Sequence, residues 1–207
     1  DFNLSLGAVA LFLWFLIGIT RGGMSYSKAD PEVKMKSNRY SGSIAARHYV
    51  YVLLPTVLII VISMSLFAGD IKGSEANKYL QEGSFMKAAE TYEMAIKLDP
   101  FNPVNHVELA QVLDLIGRNT GEVSYIEKSK EAFEKALKYD RYNAKIHSVA
   151  AFFYLRIGEA EKGFEHIEKA VELHPYFIGY HEDKAFAYKS LIEYMIENKN
   201  PKEAAKY

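Results

Sequence analysis

The chain has 207 residues, 49% of them hydrophobic, with 25 basic and 26 acidic side chains and no cysteine. That length holds one or two domains, and the near balance of charge gives no chain-wide attraction for a polyanion. The lack of cysteine excludes a disulfide framework, a thiolate metal site and thiol catalysis within these residues.

These averages hide a segregation. Residues 1–69 carry only nine charged side chains, and Phe2 to Thr20 and Tyr49 to Gly69 carry none. At about 1.5 Å per residue, roughly 20 apolar residues match a hydrocarbon core of about 30 Å, and a helix satisfies its own backbone there. Two membrane helices, at about 2–20 and 49–69, are therefore expected within a membrane region of residues 1–69. A secretory signal would need a basic start and a shorter apolar core, whereas Asp1 opens this chain. The sequence thus reads as the tail of a longer polytopic protein. Pro55 falls near the start of the second span, where a missing N–H is tolerated, and Tyr49 and Tyr51 suit the interface before it.

Between the spans, segment 21–48 sets Arg21, Lys28, Lys34, Lys36, Arg39 and Arg47 against Asp30 and Glu32, for a net charge of +4. Short basic loops stay in the cytoplasm, which places everything beyond Gly69 on the outer side. Topology alone accounts for these cations. No stacking aromatics accompany them, so nucleic acid is not an expected partner, whereas the lipid bilayer is.

Beyond Gly69 the apolar pattern becomes amphipathic at helical period, and it repeats. Ala76, Ala110, Ala151 and Ala185 are separated by 34, 41 and 34 residues; Tyr79, Leu113, Tyr154 and Tyr188 follow each by three. Gly83, Gly117 and Gly158 keep the same spacing, and Tyr92, Phe133 and Ile167 precede Ala95, Ala136 and Ala170 by three. The segments Lys97–Asn102, Lys138–Asn143 and Glu172–Phe177 close successive units. Small residues let antiparallel helices approach, aromatics fill the wedge beside them, and the glycines are expected to end each first helix at positive φ. Gly117 and Ser129 are 12 residues apart where Gly83 and Ala88 are five apart. Those extra residues make almost two turns, so the second helix of the second unit is expected to start early, near Glu122, and to protrude.

This pattern resembles the tetratricopeptide repeat. The resemblance implies an α-solenoid over 70–207 with repeats at about 70–102, 103–143, 144–177 and an incomplete 178–207, which with the two transmembrane helices read from composition makes an all-α protein. The last would hold one helix at about Gly179–Glu197 and a second opening at Asn200–Pro201. The resemblance further implies that the inner faces of the first helices line a groove for a protein or peptide. Carried over residue by residue, that groove is Asn77 and Gln81; Val107, Gln111 and Asp114; Ser148, Phe152 and Arg156; Glu182, Phe186 and Lys189. Arg156 and Lys189 would pair an acidic partner, and Phe152 and Phe186 would anchor apolar side chains. The other reading of the two phenylalanines is that they pack on each other between units.

His106, His147 and His181 take the same place in three units. Stacked equivalents lie roughly 10 Å apart, too far to share an ion held by bonds of about 2 Å, so they are read as substitutes for a partly buried aromatic and not as a metal row. His166 and His174 are eight apart on one helix without a carboxylate cluster beside them. Residues 70–207 contain no Gly-rich phosphate loop, nucleophile elbow or acid pair, so no catalytic residue and no cofactor are assigned.

The segment Asp1-Phe-Asn-Leu-Ser-Leu-Gly-Ala-Val-Ala-Leu-Phe-Leu-Trp-Phe-Leu-Ile-Gly-Ile19 resembles a late membrane helix of the O-antigen ligase and polymerase superfamily, in forms carrying C-terminal tetratricopeptide repeats. That resemblance implies a multi-pass protein of the bacterial cytoplasmic membrane, a glycosyltransferase acting on undecaprenyl-linked glycans through residues upstream of Asp1, with extracytoplasmic repeats. Two functions follow. The chain is the tail of such an enzyme, with the repeats recruiting a partner, or it is a membrane-anchored adaptor with no enzymatic activity.

Overall fold

The computed structural model describes residues 41–197, and side chains are described for 53–193 and Ile196. The first expected span, segment 21–40 of the basic loop, and the closing helix expected from Pro201 lie outside the described residues. The chain divides into two compact units, Asp1–Met64 and Ser65–Tyr207. Every element among the described residues is helical: α1 (Ser41–Gln81), α2 (Phe85–Leu98), α3 (Pro103–Thr120), α4 (Val123–Tyr139), α5 (Ala144–Arg156), α6 (Ala160–Leu173) and α7 (Ile178–Glu197).

In the first unit the described part is the start of α1. Residues 41–48, expected in the cytoplasmic loop, are its first two turns, because Ser41 to Arg47 contains no breaker apart from Gly42. Pro55 consequently lies inside a helix and not at the first turn of one. One described stretch, Leu53–Gln81, is long and apolar enough to cross a membrane. Leu53, Leu54, Val57, Leu58, Val61 and Met64 are all more than half exposed and belong to neither core formed by the described residues.

The helix does not stop at Gly69, where the composition changes. Packing begins at Ser65, whose Oγ donates to the Leu98 carbonyl at 2.8 Å. Gly69 then brings α1 against Asp99, and at Gly73 an added Cβ would lie 2.6 Å from Asn105 Oδ1. The last five residues of the expected span thus form the first turn of the repeat region, and missing side chains permit that approach.

From Ser65 onward the helices pair antiparallel in tetratricopeptide-like repeats: α1 with α2, α3 with α4, α5 with α6, then α7. Ala76, Ala88, Ala95, Ala110, Ala136, Ala150, Ala151 and Ala170 are fully buried, the close contacts for which small residues were expected. Around them sit two cores. One joins Tyr92 to Leu109, Val112, Leu113 and Ile116; the next joins Phe133 to Val107, Ile146, Phe153 and Tyr154. Phe133 and Phe153 stack at 4.9 Å across the α4–α5 step. Ser129 takes the small position of the second unit and satisfies its hydroxyl by donating to the Ala110 carbonyl at 2.7 Å. In the last repeat Ala187 is buried and Ala185 exposed; the residues expected opposite Ala185 are outside those described.

Local signals set the helix starts. Asn102 caps α3 by accepting from Val104 N, with Pro103 at the first helical position, and Asn143 caps α5 by accepting from Lys145 N and Ile146 N. Gly83 and Gly158 hold positive φ at the ends of the first helices. Gly117 does not. It lies within α3, which runs on for three residues to end at Gly121 (φ 73°). The insertion therefore lengthens both helices of the second unit instead of α4 alone. Gly117 answers a packing demand, since a Cβ there would meet Ile126 Cδ1 at 2.7 Å.

Candidate functional site: the groove along the first helices

The first helices α1, α3, α5 and α7 face a groove of about 540 Å³, lined in part by Leu80, Gln111, Leu115, Phe152, Arg156 and Asp183. Its charge comes from Glu108, Asp114 and Asp183 against Arg118 and Arg156. Helical period places these side chains together: 111, 115 and 118 lie on one face of α3, and 148, 152 and 156 on one face of α5.

Of the residues assigned from sequence, Gln111, Asp114, Ser148, Phe152 and Arg156 line this groove. Their roles differ from those expected. Asp114 is buried and serves as an anchor: Arg156 Nη2 reaches its Oδ2 at 2.5 Å and Arg118 Nε reaches the same oxygen at 3.3 Å. Arg156 is thus committed within the protein, joining α5 to α3, and is not a free cation awaiting an acidic partner. Ser148 is also buried and donates to Asp183 Oδ2 at 2.6 Å, joining α5 to α7. Asp114 Oδ1 is buried without a hydrogen-bond partner among the described residues.

The other assignments fall away from the groove. Val107 is buried in the α3–α5 core, because its side chain points at Phe133 and Ile146 and not into the concave face. Asn77 is exposed but accepts from the Tyr92 hydroxyl at 2.8 Å. Gln81, Glu182 and Lys189 are exposed and do not line the groove; Lys189 stands 3.8 Å from Glu193 on its own helix. Phe186 is 62% exposed and its ring lies 6.1 Å from that of Phe152, so the two phenylalanines do meet between units while one keeps much of its surface open. Sequence reasoning missed Glu108, Leu115, Arg118 and Asp183. The signal for the middle two was the spacing from Gln111 along α3; Glu108 and Asp183 share one register place with Val149, each two residues before the repeat alanines Ala110, Ala185 and Ala151.

The three repeated histidines share one task. His106, His147 and His181 set Nε2 at 2.9, 3.0 and 2.7 Å from the carbonyls of Pro100, Arg141 and Pro175, each six residues back. A carbonyl only accepts, so each ring carries its proton on Nε2 and clips the inter-repeat turn onto the helix after it. His147 Nδ1 is left as an acceptor and lies 3.0 Å from His166 Nδ1, which therefore donates. Burial, then the neighbouring His147, push the His166 imidazole below its usual value; burial does the same to His106. No group of three or more metal-ligating side chains occurs among the described residues.

No protein-family model matches the chain, and no curated protein matches it. Solved structures do resemble it. The Sgt2 tetratricopeptide domain from Aspergillus fumigatus is 20% identical, with 61% of this chain and 80% of that one covered and a TM-score of 0.53. The Arabidopsis OM64 tetratricopeptide domain is 16% identical over 61% of this chain and 98% of its own, with a TM-score of 0.52. The first tetratricopeptide domain of Spaghetti (RPAP3), solved with the HSP90 peptide SRMEEVD, is 18% identical over 59% of this chain and 92% of its own, with a TM-score of 0.51. The described fold is accordingly that of tetratricopeptide-like helical repeats.

Proposed function

We propose that residues 65–197 form a protein-binding scaffold whose ligand is an extended peptide segment laid along the groove of α1, α3, α5 and α7. The groove itself carries this reading. It is an open concave channel with apolar purchase at Leu115 and Phe152, an exposed amide at Gln111, and charges of both signs fixed in place by Asp114 and Ser148. Polar groups already held by the fold lose little freedom when a ligand binds. The peptide bound by the Spaghetti domain supports the same reading. To test it, peptides are selected from a displayed library on the intact chain, and their affinity is remeasured on Phe152→Ala and Gln111→Ala. Removing an aromatic anchor is expected to weaken binding about tenfold, or roughly 1.4 kcal/mol, with helicity unchanged. Affinities equal to those of the unaltered chain on both variants overturn the assignment of this face.

We further infer that the apolar part of α1 anchors the scaffold in a lipid bilayer, with the repeats on the outer side of a bacterial cytoplasmic membrane. The uncharged exposed stretch beginning at Leu53 and the basic segment before it support this. Protease added to intact cells should remove the repeats; protection until lysis means the opposite orientation. The finer reading is that the chain is the tail of an O-antigen ligase-like transferase acting on undecaprenyl-linked glycans. It rests on the resemblance of residues 1–19, which lie outside those described, and the adaptor reading stands beside it. The reading frame upstream separates the two. Further spans with a large external loop mark the enzyme, and a start codon directly before Asp1 marks the adaptor.

A further inference from the structure

Antiparallel pairing gives the repeat region two edges. The turns within repeats, at Gly83, Gly121 and Gly158, make one edge; the turns between repeats, after Leu98, Tyr139 and Leu173, make the other. The second edge has an unusual surface. Phe101, Tyr142 and Tyr176 occupy equivalent places in its three turns and are 70%, 64% and 99% exposed, and Phe177 and Ile178 extend the row. Turns in water favour Gly, Asn, Asp, Ser and Pro, each of which helps the backbone turn; an aromatic does nothing for it. Here Asn102 and Asn143 already cap the following helices and the histidines clip the turns; Phe101 meets Tyr139 edge-on, Arg141 lies over Tyr142 and Phe177 meets Tyr180, yet each aromatic keeps more than half of its surface open.

The chain enters the repeat region at this same edge. Ser65 donates to the Leu98 carbonyl, Gly69 meets Asp99, and Asn102 Nδ2 lies 3.4 Å from Asp70 Oδ1. The uncharged run that begins at Tyr49 ends only at Gly69, level with the Leu98–Asn102 turn. If a bilayer holds that run, its boundary falls within about one helical turn, roughly 5 Å, of the edge that carries the aromatics. Tyrosine is the residue enriched at lipid–water boundaries, and phenylalanine and isoleucine suit the acyl side of them.

We propose that the inter-repeat edge, through Phe101, Tyr142, Tyr176, Phe177 and Ile178, lies in the lipid headgroup region and holds the repeats against the membrane surface. The contact rests on the bilayer anchoring of α1 inferred above. It fixes the groove close to the membrane, within reach of the juxtamembrane segments of partners embedded in the same bilayer.

The test uses the full chain in phosphatidylcholine vesicles, some brominated on the acyl chains near the headgroup. Trp14 is the only tryptophan. In a Trp14→Phe background, Phe101→Trp, Tyr142→Trp and Tyr176→Trp each report on this edge, and Val123→Trp, at a position 68% exposed on the other edge, is the control. Emission from positions 101, 142 and 176 should fall as brominated lipid increases, with position 123 unaffected. Loss of emission at none of the three, or equally at all four, overturns the proposal. An alkaline carbonate wash of the same vesicles separates the two claims. A chain that stays with the lipid but is not quenched sinks the edge contact alone, and a chain that washes off sinks the anchoring and the edge contact with it.

Discussion

Two glycines four residues apart show how differently the same side-chain loss is used. Gly121 sits at φ 73° in open space, and Gly117 sits in regular helix with Ile126 against its missing Cβ. Gly121→Ala should therefore cost about 1 kcal/mol from backbone strain alone. Gly117→Ala should cost about 1–3 kcal/mol from overpacking. Ile126→Val removes the Cδ1 atom that the new methyl would meet, so in denaturant melts it should recover part of the Gly117→Ala loss and none of the Gly121→Ala loss. Equal behaviour of the two double variants would contradict this division. From sequence, register grouped Gly117 with the turn glycines, because spacing records alignment and not φ.

The histidines give the repeat region a pH response whose sign is fixed. His106 and His166 are held below the ordinary value of 6.5, mainly by burial. Above that value both folded and unfolded states are neutral at these rings and stability is unaffected. As pH falls below it, the unfolded chain takes up protons that the folded one resists, so stability declines. Thermal midpoints should therefore drop from about pH 7 to about pH 5, and His166→Gln should flatten part of that drop. Glu159 and Glu168, held below 4.5 chiefly by hydrogen bonds from Lys130 and Lys184, act in a separate window, losing their contribution as pH falls below about 4.5. A midpoint with the same pH slope in the His166 variant would count against a His166 ring held neutral by its burial.

Among elements, two polar ties join successive first helices beside the apolar contacts of Val107 with Ile146 and Phe152 with Phe186. Asp114 takes Arg156 across α3–α5, and Ser148 takes Asp183 across α5–α7. Arg156 is 37% exposed and its partner 6%. Its loss to alanine should therefore cost about 1–3 kcal/mol, less than for a fully buried pair, most of it from the carboxylate left short of partners. Arg156→Ala with Asp114→Asn should be less damaging than the two single losses added together, as measured by urea midpoints; simple additivity would mean the pair is not coupled. Sequence made the intra-pair contacts legible, since alanines and aromatics recur with the period. The cross-repeat ties were not, because Asp114 and Arg156 occur once each and carry no repeating signal. The junction at Ser65 escaped for a related reason: composition changes at Gly69, while helix continuity is indifferent to whether lipid or protein surrounds the side chains.

At the scale of the molecule, 34-residue periodicity was enough to anticipate an all-helical repeat fold, because stacked pairs demand small residues at every close contact. Less of the groove could be read. Family register named Gln111, Asp114, Ser148, Phe152 and Arg156, which line the groove, but it does not tell that Val107 is buried or that Asp114 and Arg156 pair, since burial and pairing depend on neighbouring helices. The central claim is that this concave face receives a peptide. The most direct measurement is photo-crosslinking of a selected peptide to the full chain carrying a benzophenone side chain at Gln111, compared with one at Glu134, exposed on the second helix α4. Capture at position 111 and none at 134 is the predicted result; capture at 134 with none at 111 would contradict it.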